Sequence, residues 1–189
     1  MLVLASASPR RQELLRNAGI RFVVEATSIP EVARDGELPQ DFAERMAREK
    51  AETVFRNRPK DFVLGADTVV VIDNMILGKP RDPADAARML RLLSGRTHEV
   101  ITAVCLMGPS LKAGFQDTRS ETTSVTISEL SDEDIRSYVA AGEPLDKAGA
   151  YGIQGMASRW IPRIEGDYFN VVGLPVALVL RMLQEHGVK

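Results

Sequence analysis

An α/β fold built on a mixed β-sheet is the class this sequence predicts, and three observations carry it. Short apolar runs rich in β-branched residues, at positions 2–5, 22–24 and 69–72, read as strands, and residues 97–107 as a longer one. Between them lie helical stretches that open on proline, at Pro9, Pro39 and Pro83. After the 69–72 run, Asp73-Asn74 is a turn signal, so that residues 75–77 return as a hairpin arm. Strand–helix–strand units combined with hairpins give a sheet of mixed direction.

A chain of 189 residues holds one sizeable core or two intimate lobes, but not two ordinary independent domains. Its 44% apolar and 26% charged residues are those of a soluble globular protein. A formal net charge of −2 argues against broad electrostatic binding to nucleic acid or to an anionic membrane. Any anion site must therefore be a local cluster of basic residues. The single cysteine, Cys105, sits in an apolar run and reads as core, which excludes an intramolecular disulfide and suits a reducing compartment. No signal peptide is visible. The longest apolar segment, residues 171–183, is shorter than a membrane span and carries Pro175 and Arg181. The expected location is the cytoplasm.

Taken in order, residues 2–5 form a strand that leads into Ser6-Ala-Ser-Pro-Arg-Arg. Ser8 is a good N-cap, Pro9 a good first helical residue and Gly19 a good stop. The N–H groups of Arg10 and Arg11 then lie at a helix N-terminus, an end that favours an anion, with the Ser6 and Ser8 hydroxyls beside them. The same residues also read as an ordinary capped helix with solvated arginines. No Walker A loop is present, because its glycines are missing. Residues 22–25 give a second strand and 27–31 a loop containing Glu31. A long helix follows over residues 39–56, with Phe42, Met46, Val54 and Phe55 as core contacts. On spacing alone, Lys50 of that helix is a solvated surface residue.

Residues 63–82 are the centre of the chain. Asp67 stands inside an apolar β-rich run, and Gly65 and Ala66 leave no bulk beside it, so a ligand or another backbone can approach closely. A carboxylate there reads either as a strand-end acid that caps a turn, or as a metal ligand or general base. The hairpin predicted at 73–74 returns Lys79, in a Gly-Lys-Pro turn, toward the Asp67 end.

Beyond it come a helix at 84–93 closed by Ser94-Gly95-Arg96, a strand at 97–107 and a turn at Gly108-Pro109-Ser110. Residues 115–130 read as a partly exposed antiparallel strand. Ser131-Asp-Glu-Asp starts a helix that ends near Gly142, its acids a solvated first turn matched to the helix dipole. Residues 143–155 have little packing bulk but carry Asp146, Lys147, Tyr151 and Gln154, which makes a poor core and a binding loop. Their glycines do not have dinucleotide-binding spacing. Residues 160–164 read as a short strand, 168–172 as another extended piece, and Pro175 opens the last helix. His98 is a strand residue, His186 an exposed helix-end residue, and neither has metal-ligand spacing.

The functional groups form one chemical list: Arg10, Arg11, Lys50 and Lys79 as cations, Ser6 and Ser8 as hydroxyls, Asp67, Glu31 and Asp146 as acids. Cations beside a carboxylate, with no nucleophilic Cys–His or Ser–His pair, point to phosphate chemistry. Metal-assisted attack of water on phosphorus fits that list better than acyl transfer.

Six segments also resemble the Maf nucleotide pyrophosphatases: Ser6-Ala-Ser-Pro-Arg-Arg-Gln-Glu-Leu-Leu, Ala47-Arg-Glu-Lys-Ala, Leu64-Gly-Ala-Asp-Thr-Val-Val, Leu77-Gly-Lys-Pro-Arg-Asp, Leu93-Ser-Gly-Arg-Thr-His and Glu143-Pro-Leu-Asp-Lys-Ala-Gly-Ala-Tyr-Gly-Ile-Gln-Gly. The resemblance runs in unbroken order from Leu2 to about Leu183. The resemblance implies hydrolysis of a nucleoside triphosphate to monophosphate and pyrophosphate with a divalent cation, Mg²⁺ or Mn²⁺. It implies one domain similar in fold to the inosine triphosphate pyrophosphatases, an elongated mixed sheet in two lobes with a central cleft. The last segment resembles the subgroup acting on dTTP and UTP rather than the one preferring 7-methyl-GTP.

Carried over by motif, Asp67 is the acid that activates water and, with Glu31, a metal ligand. Ser8, Arg11, Lys50 and Lys79 hold the triphosphate, and Arg10, Thr68 and Gln154 tune base choice. Glu31 follows Ile29-Pro30, where relatives carry more acidic residues. With the resemblance in view, Lys50 passes from surface residue to phosphate ligand. The expected partner is the nucleotide, without nucleic acid or membrane, and a homodimer is left open. A nucleotide-binding regulator of cell division without turnover is the alternative class.

Overall fold

The computed structural model describes residues 1–109 and 114–188. In chain order they form β1 (Leu2–Leu4), α1 (Pro9–Asn17), β2 (Val23–Val24), α2 (Pro39–Phe55), β3 (Phe62–Ile72), β4 (Met75–Leu77), α3 (Pro83–Leu93), β5 (Thr97–Gly108), β6 (Phe115–Thr126), α4 (Asp132–Ala140), β7 (Arg163–Glu165), α5 (Tyr168–Val172) and α6 (Val176–Glu185). The described strands pair in the order β2-β1-β3-β5-β6-β7, with β4 on β3, a seven-stranded mixed sheet in an α/β fold. Two compact units are distinguished, Met1–Thr68 with Thr102–Glu121 and Gly173–Lys189, and Val69–Ile101 with Thr122–Val172. No helix among the described residues is long and apolar enough to cross a membrane.

In the first unit β1 pairs in parallel with both β2 and β3, Val3 facing Val23 on one side and Val63 on the other. A strand flanked on both edges and covered by crossover helices reads as an unbroken apolar run, which is what Leu2, Val3 and Leu4 supply. Ser8 caps α1, its hydroxyl accepting from the Arg11 N–H at 3.5 Å. The α2 helix turns a row of small residues inward, with Ala43, Ala47 and Ala51 all fully buried. Gly65 of β3 lies against that row: a Cβ added there would meet Ala47 O at 2.2 Å and Ala51 N at 2.8 Å. The second backbone that the sequence leaves room for at Gly65 is therefore α2.

Cys105 of β5 is core, and burial pushes its thiol up to about 11. His186, expected as an exposed end residue, is instead half-buried past the end of α6. Its ring stacks on Phe115 at 4.0 Å and its Nε2 lies 2.9 Å from Asp117 Oδ2. Ser110 of the expected 108–110 turn lies outside the described residues.

In the second unit, β3 continues into the predicted hairpin. Asp73 and Asn74 both take left-handed backbone, φ 50° and 61°, the conformation of a tight two-residue turn. Pairing runs from Ile72↔Met75 to Val70↔Leu77, and Lys79 lies two residues past the last pair. The core gathers Val70, Leu90, Leu93, Val100, Val125 and Tyr138. Ser131 and Asp134 cap α4 reciprocally, as the Ser-Asp-Glu-Asp signal predicts.

Three expectations are corrected here. Residues 143–155 are not poor core: they wind through short 3₁₀ turns and bury Ala150, Tyr151 and Ile153, while Gly149 sits against Val70 so closely that a Cβ would lie 2.9 Å from it. Trp160 ends a 3₁₀ helix, Met156–Trp160, and the strand begins only at Arg163. Residues 168–172 are helical, because Asp167 Oδ1 accepts from the Phe169 N–H at 2.7 Å and caps a turn that β-branched Val171 and Val172 alone would not favour. His98 is a buried residue of β5 whose Nε2 lies 2.7 Å from the Tyr151 hydroxyl; burial pulls it down to about 4, so it stays neutral at ordinary pH.

The backbone contact at Gly65 yields a direct prediction. Gly65→Ala forces β3 and α2 apart and lowers stability by about 1–3 kcal/mol. An unchanged urea midpoint would show that the two backbones do not meet there.

Candidate active site

Asp67 stands three residues beyond Leu64, the last β3 residue paired with β1, and is 5% exposed. It therefore lies past the carboxyl end of a parallel strand pair, where open α/β sheets bind their ligands. Residues 5–8, which leave β1 at the same end, and the first turn of α1 belong to that region as well.

The approach of α2 to Gly65 sets Lys50 against Asp67. The Lys50 ammonium donates to Asp67 Oδ1 at 2.6 Å and to Glu31 Oε1 at 2.6 Å. The two carboxylate oxygens thus lie no further apart than twice that distance. Lys50 is only 8% exposed, so the solvated position that helix spacing assigns it is overturned. The spacing is amphipathic as expected, but the contact with β3 is close enough to enclose a charged side chain once a partner acid faces it.

Arg11 forms the second cationic contact. Its Nη2 donates to the Thr68 hydroxyl at 3.0 Å, Nη1 to Ser6 Oγ at 3.2 Å and Nε to the Gly173 carbonyl at 2.8 Å. Thr68 Oγ1 in turn lies 2.9 Å from Thr102 Oγ1, and the Ser8 N–H donates to Ser6 Oγ at 3.2 Å. Arg10 occupies the first turn of α1 beside it.

Burial raises the Asp67 carboxyl above its usual range; Lys50 and Arg11 pull it back and Glu31 adds to the rise. Burial lowers the Arg11 guanidinium, opposed by Asp67 and Glu31 and reinforced by Arg10. An arginine displaced in that direction still carries its charge at neutral pH.

The structure thus brings together Ser6, Ser8, Arg11, Glu31, Lys50, Asp67 and Thr68 within the first unit. Lys79 and Gln154 are exposed residues of the second unit. Asp146 also belongs to the second unit, where it is exposed and paired with Lys147 at 2.7 Å. Thr102 and Gly173 escape sequence reasoning. Thr102 is one of several threonines on strands, and Gly173 contributes a carbonyl; its only trace is a glycine before Leu-Pro.

Among the described residues no group of three or more His, Cys, Asp and Glu side chains is placed to hold a metal ion. Asp67 and Glu31 offer two carboxylates of all-oxygen chemistry on one lysine. Such a pair does not cage a cation by itself. It fits Mg²⁺ or Mn²⁺, which bind through one or two carboxylates and complete their shell with phosphate oxygens and water.

Residues 1–186 match the family described as Maf-like protein. A dTTP/UTP pyrophosphatase of Koribacter versatilis is 59% identical over 99% of this chain and 95% of its own. One from Syntrophomonas wolfei is 50% identical over 97% and 96%.

The chain belongs to the Maf family.

Among solved structures, the Ham1 protein of Staphylococcus aureus aligns over 98% of both chains with 13% identity and a TM-score of 0.47. In this Maf protein Lys50 and Arg11 are the cations that act on Asp67. Lys50→Met removes the nearer one. The Asp67 carboxyl is then expected to titrate at higher pH than in the parent, read from its ¹³C resonance; an unmoved midpoint would separate Lys50 from Asp67.

Proposed function

We propose that this Maf protein hydrolyses dTTP and UTP, and modified pyrimidine nucleotides of the same shape, to the monophosphate and pyrophosphate. The observation that carries this reading is the buried carboxylate of Asp67, bonded to Lys50 and within the field of Arg11, at the carboxyl end of parallel strands. The dTTP/UTP pyrophosphatases among its Maf relatives support the substrate.

Asp67 takes a proton from water through the oxygen that Lys50 does not occupy. The water oxygen bonds to the α-phosphorus as the bond to the bridging oxygen breaks, and pyrophosphate departs with that oxygen. A carboxylate raised by burial is the stronger base, and its displacement toward neutral pH brings it nearer the range where general bases work best. A divalent cation bound by Asp67 and Glu31 would neutralise phosphate charge and lower the cost of the developing negative charge.

Arg11, fixed at Nε, Nη1 and Nη2, and Lys50 present positive charge to the phosphates without reorganising. Ser8 and the first turn of α1 add hydrogen-bond donors aligned with the helix dipole. Lys79 as a phosphate ligand, and Arg10, Thr68 and Gln154 in base choice, are roles taken from the Maf resemblance. The cytoplasm is the compartment proposed, in keeping with one unpaired cysteine, and a homodimer is the assembly to test by sedimentation.

The deciding experiment gives the purified protein a panel of canonical and modified triphosphates with Mg²⁺ or Mn²⁺ and scores pyrophosphate. Asp67→Asn should keep the parent's thermal midpoint within a few degrees and lower dTTP turnover by at least about 10²–10³. Near-parental turnover would remove Asp67 from the base role. Gln154→Ala should change the ranking of nucleotides; a uniform loss across the panel would contradict its part in base choice.

A further inference from the structure

Glu31 lies in residues 25–38, a stretch without helix or strand that joins β2 to α2. Helix or strand pairing therefore does not hold it there, and side chains that fasten this stretch bear on its place.

One side chain on α2 fastens the stretch. Arg45 is 7% exposed, five residues before Lys50 on the same helix. Its Nε and Nη2 donate to the two oxygens of Glu37 at 2.6 and 2.7 Å, Nη2 also donates to the Val32 carbonyl at 3.0 Å, and Nη1 donates to Glu49 Oε1 at 3.2 Å. Glu37 closes a tight turn: its carboxylate accepts from the Arg34 N–H at 2.9 Å and its own N–H donates to the Arg34 carbonyl at 3.0 Å. Arg45 thus holds the segment on both sides of the 34–37 turn, and one of its contacts is to the residue that directly follows Glu31.

A charged group that is buried and bonded bidentately is a rigid anchor, because partial release leaves it unpaired. Nothing in the proposed reaction uses Arg45: among the described residues it bonds to Glu37, Glu49 and the Val32 carbonyl, not to Asp67.

We propose that Arg45 is a positioning residue for the reaction, acting through the 32–37 segment to keep Glu31 on the Lys50 ammonium. The proposal rests on the reading of Asp67, Lys50 and Glu31 as the reacting cluster, but its geometry can be tested apart from turnover.

Arg34 is 71% exposed inside the clamped segment, so trypsin reports its release. In Arg45→Met, cleavage after Arg34 should rise on the order of tenfold or more. The Lys50 ¹⁵Nζ resonance should move in Arg45→Met in the same direction as in Glu31→Gln. In the pyrophosphate assay the loss of kcat/KM in the double variant should equal that of Glu31→Gln alone. Glu37→Gln, which leaves Arg45 in place, is the second variant should Arg45→Met not fold; it should reproduce both spectroscopic and proteolytic changes in weaker form.

A Lys50 resonance that stays at its parental position while Arg34 becomes cleavable would overturn the proposal, as would losses in kcat/KM that add. Absence of pyrophosphate release from the parent protein overturns the reading of function instead, and the Lys50 resonance still decides the role of Arg45.

Discussion

A single ammonium shared between two carboxylates governs this molecule. Lys50 lies between Asp67 and Glu31, and all but the latter are withdrawn from water. Removing ions from water costs on the order of several kcal/mol for each, and a buried pair recovers that only with good geometry. Apolar side chains of similar volume would often be as stable. An arrangement that adds little to stability is better explained by what it does to the reactivity of its carboxylate. It exists because two backbones touch: Gly65 has no side chain, and Ala47 and Ala51 have little, so α2 reaches β3 closely enough to deliver Lys50.

The rest of the first unit gives that cluster its direction. Parallel pairing of β1 with β2 and β3 collects the ends of two strands and the start of α1 in one region. Arg11 is held there by a carbonyl and two hydroxyls, with no carboxylate among its hydrogen-bond partners in the described residues. Its charge is fixed in place but not neutralised by a direct ion pair, the condition under which a preorganised cation acts most strongly on an approaching anion.

Much of this was legible in the residues. Proline-opened helices, the left-handed Asp73-Asn74 turn and the Ser131 cap each follow from local stereochemistry, and each formed where expected. The absence of bulk at Gly65 signals a close approach, though not which backbone arrives. Legibility ended where a distant partner overrides a local tendency. Lys50 reads as solvated until the acids of β3 and the 25–38 stretch are brought to it. Residues 168–172 read as extended until the Asp167 cap is known, and Tyr151 as a loop side chain until His98 meets it across 53 residues of chain. The Gly173 carbonyl that fixes Arg11 lies 162 residues from it in sequence, and a backbone oxygen has no signature of its own.

The enclosed thiol of Cys105 has a practical corollary. It is the chain's one sulfhydryl, fully screened from solvent and held in its protonated, unreactive form. The native fold is thus silent toward maleimides and other thiol reagents. A cysteine introduced beside Arg34 could carry a fluorophore or spin label with no background, so that movement of that turn can be followed by optical or paramagnetic signals without first stripping the protein of sulfur.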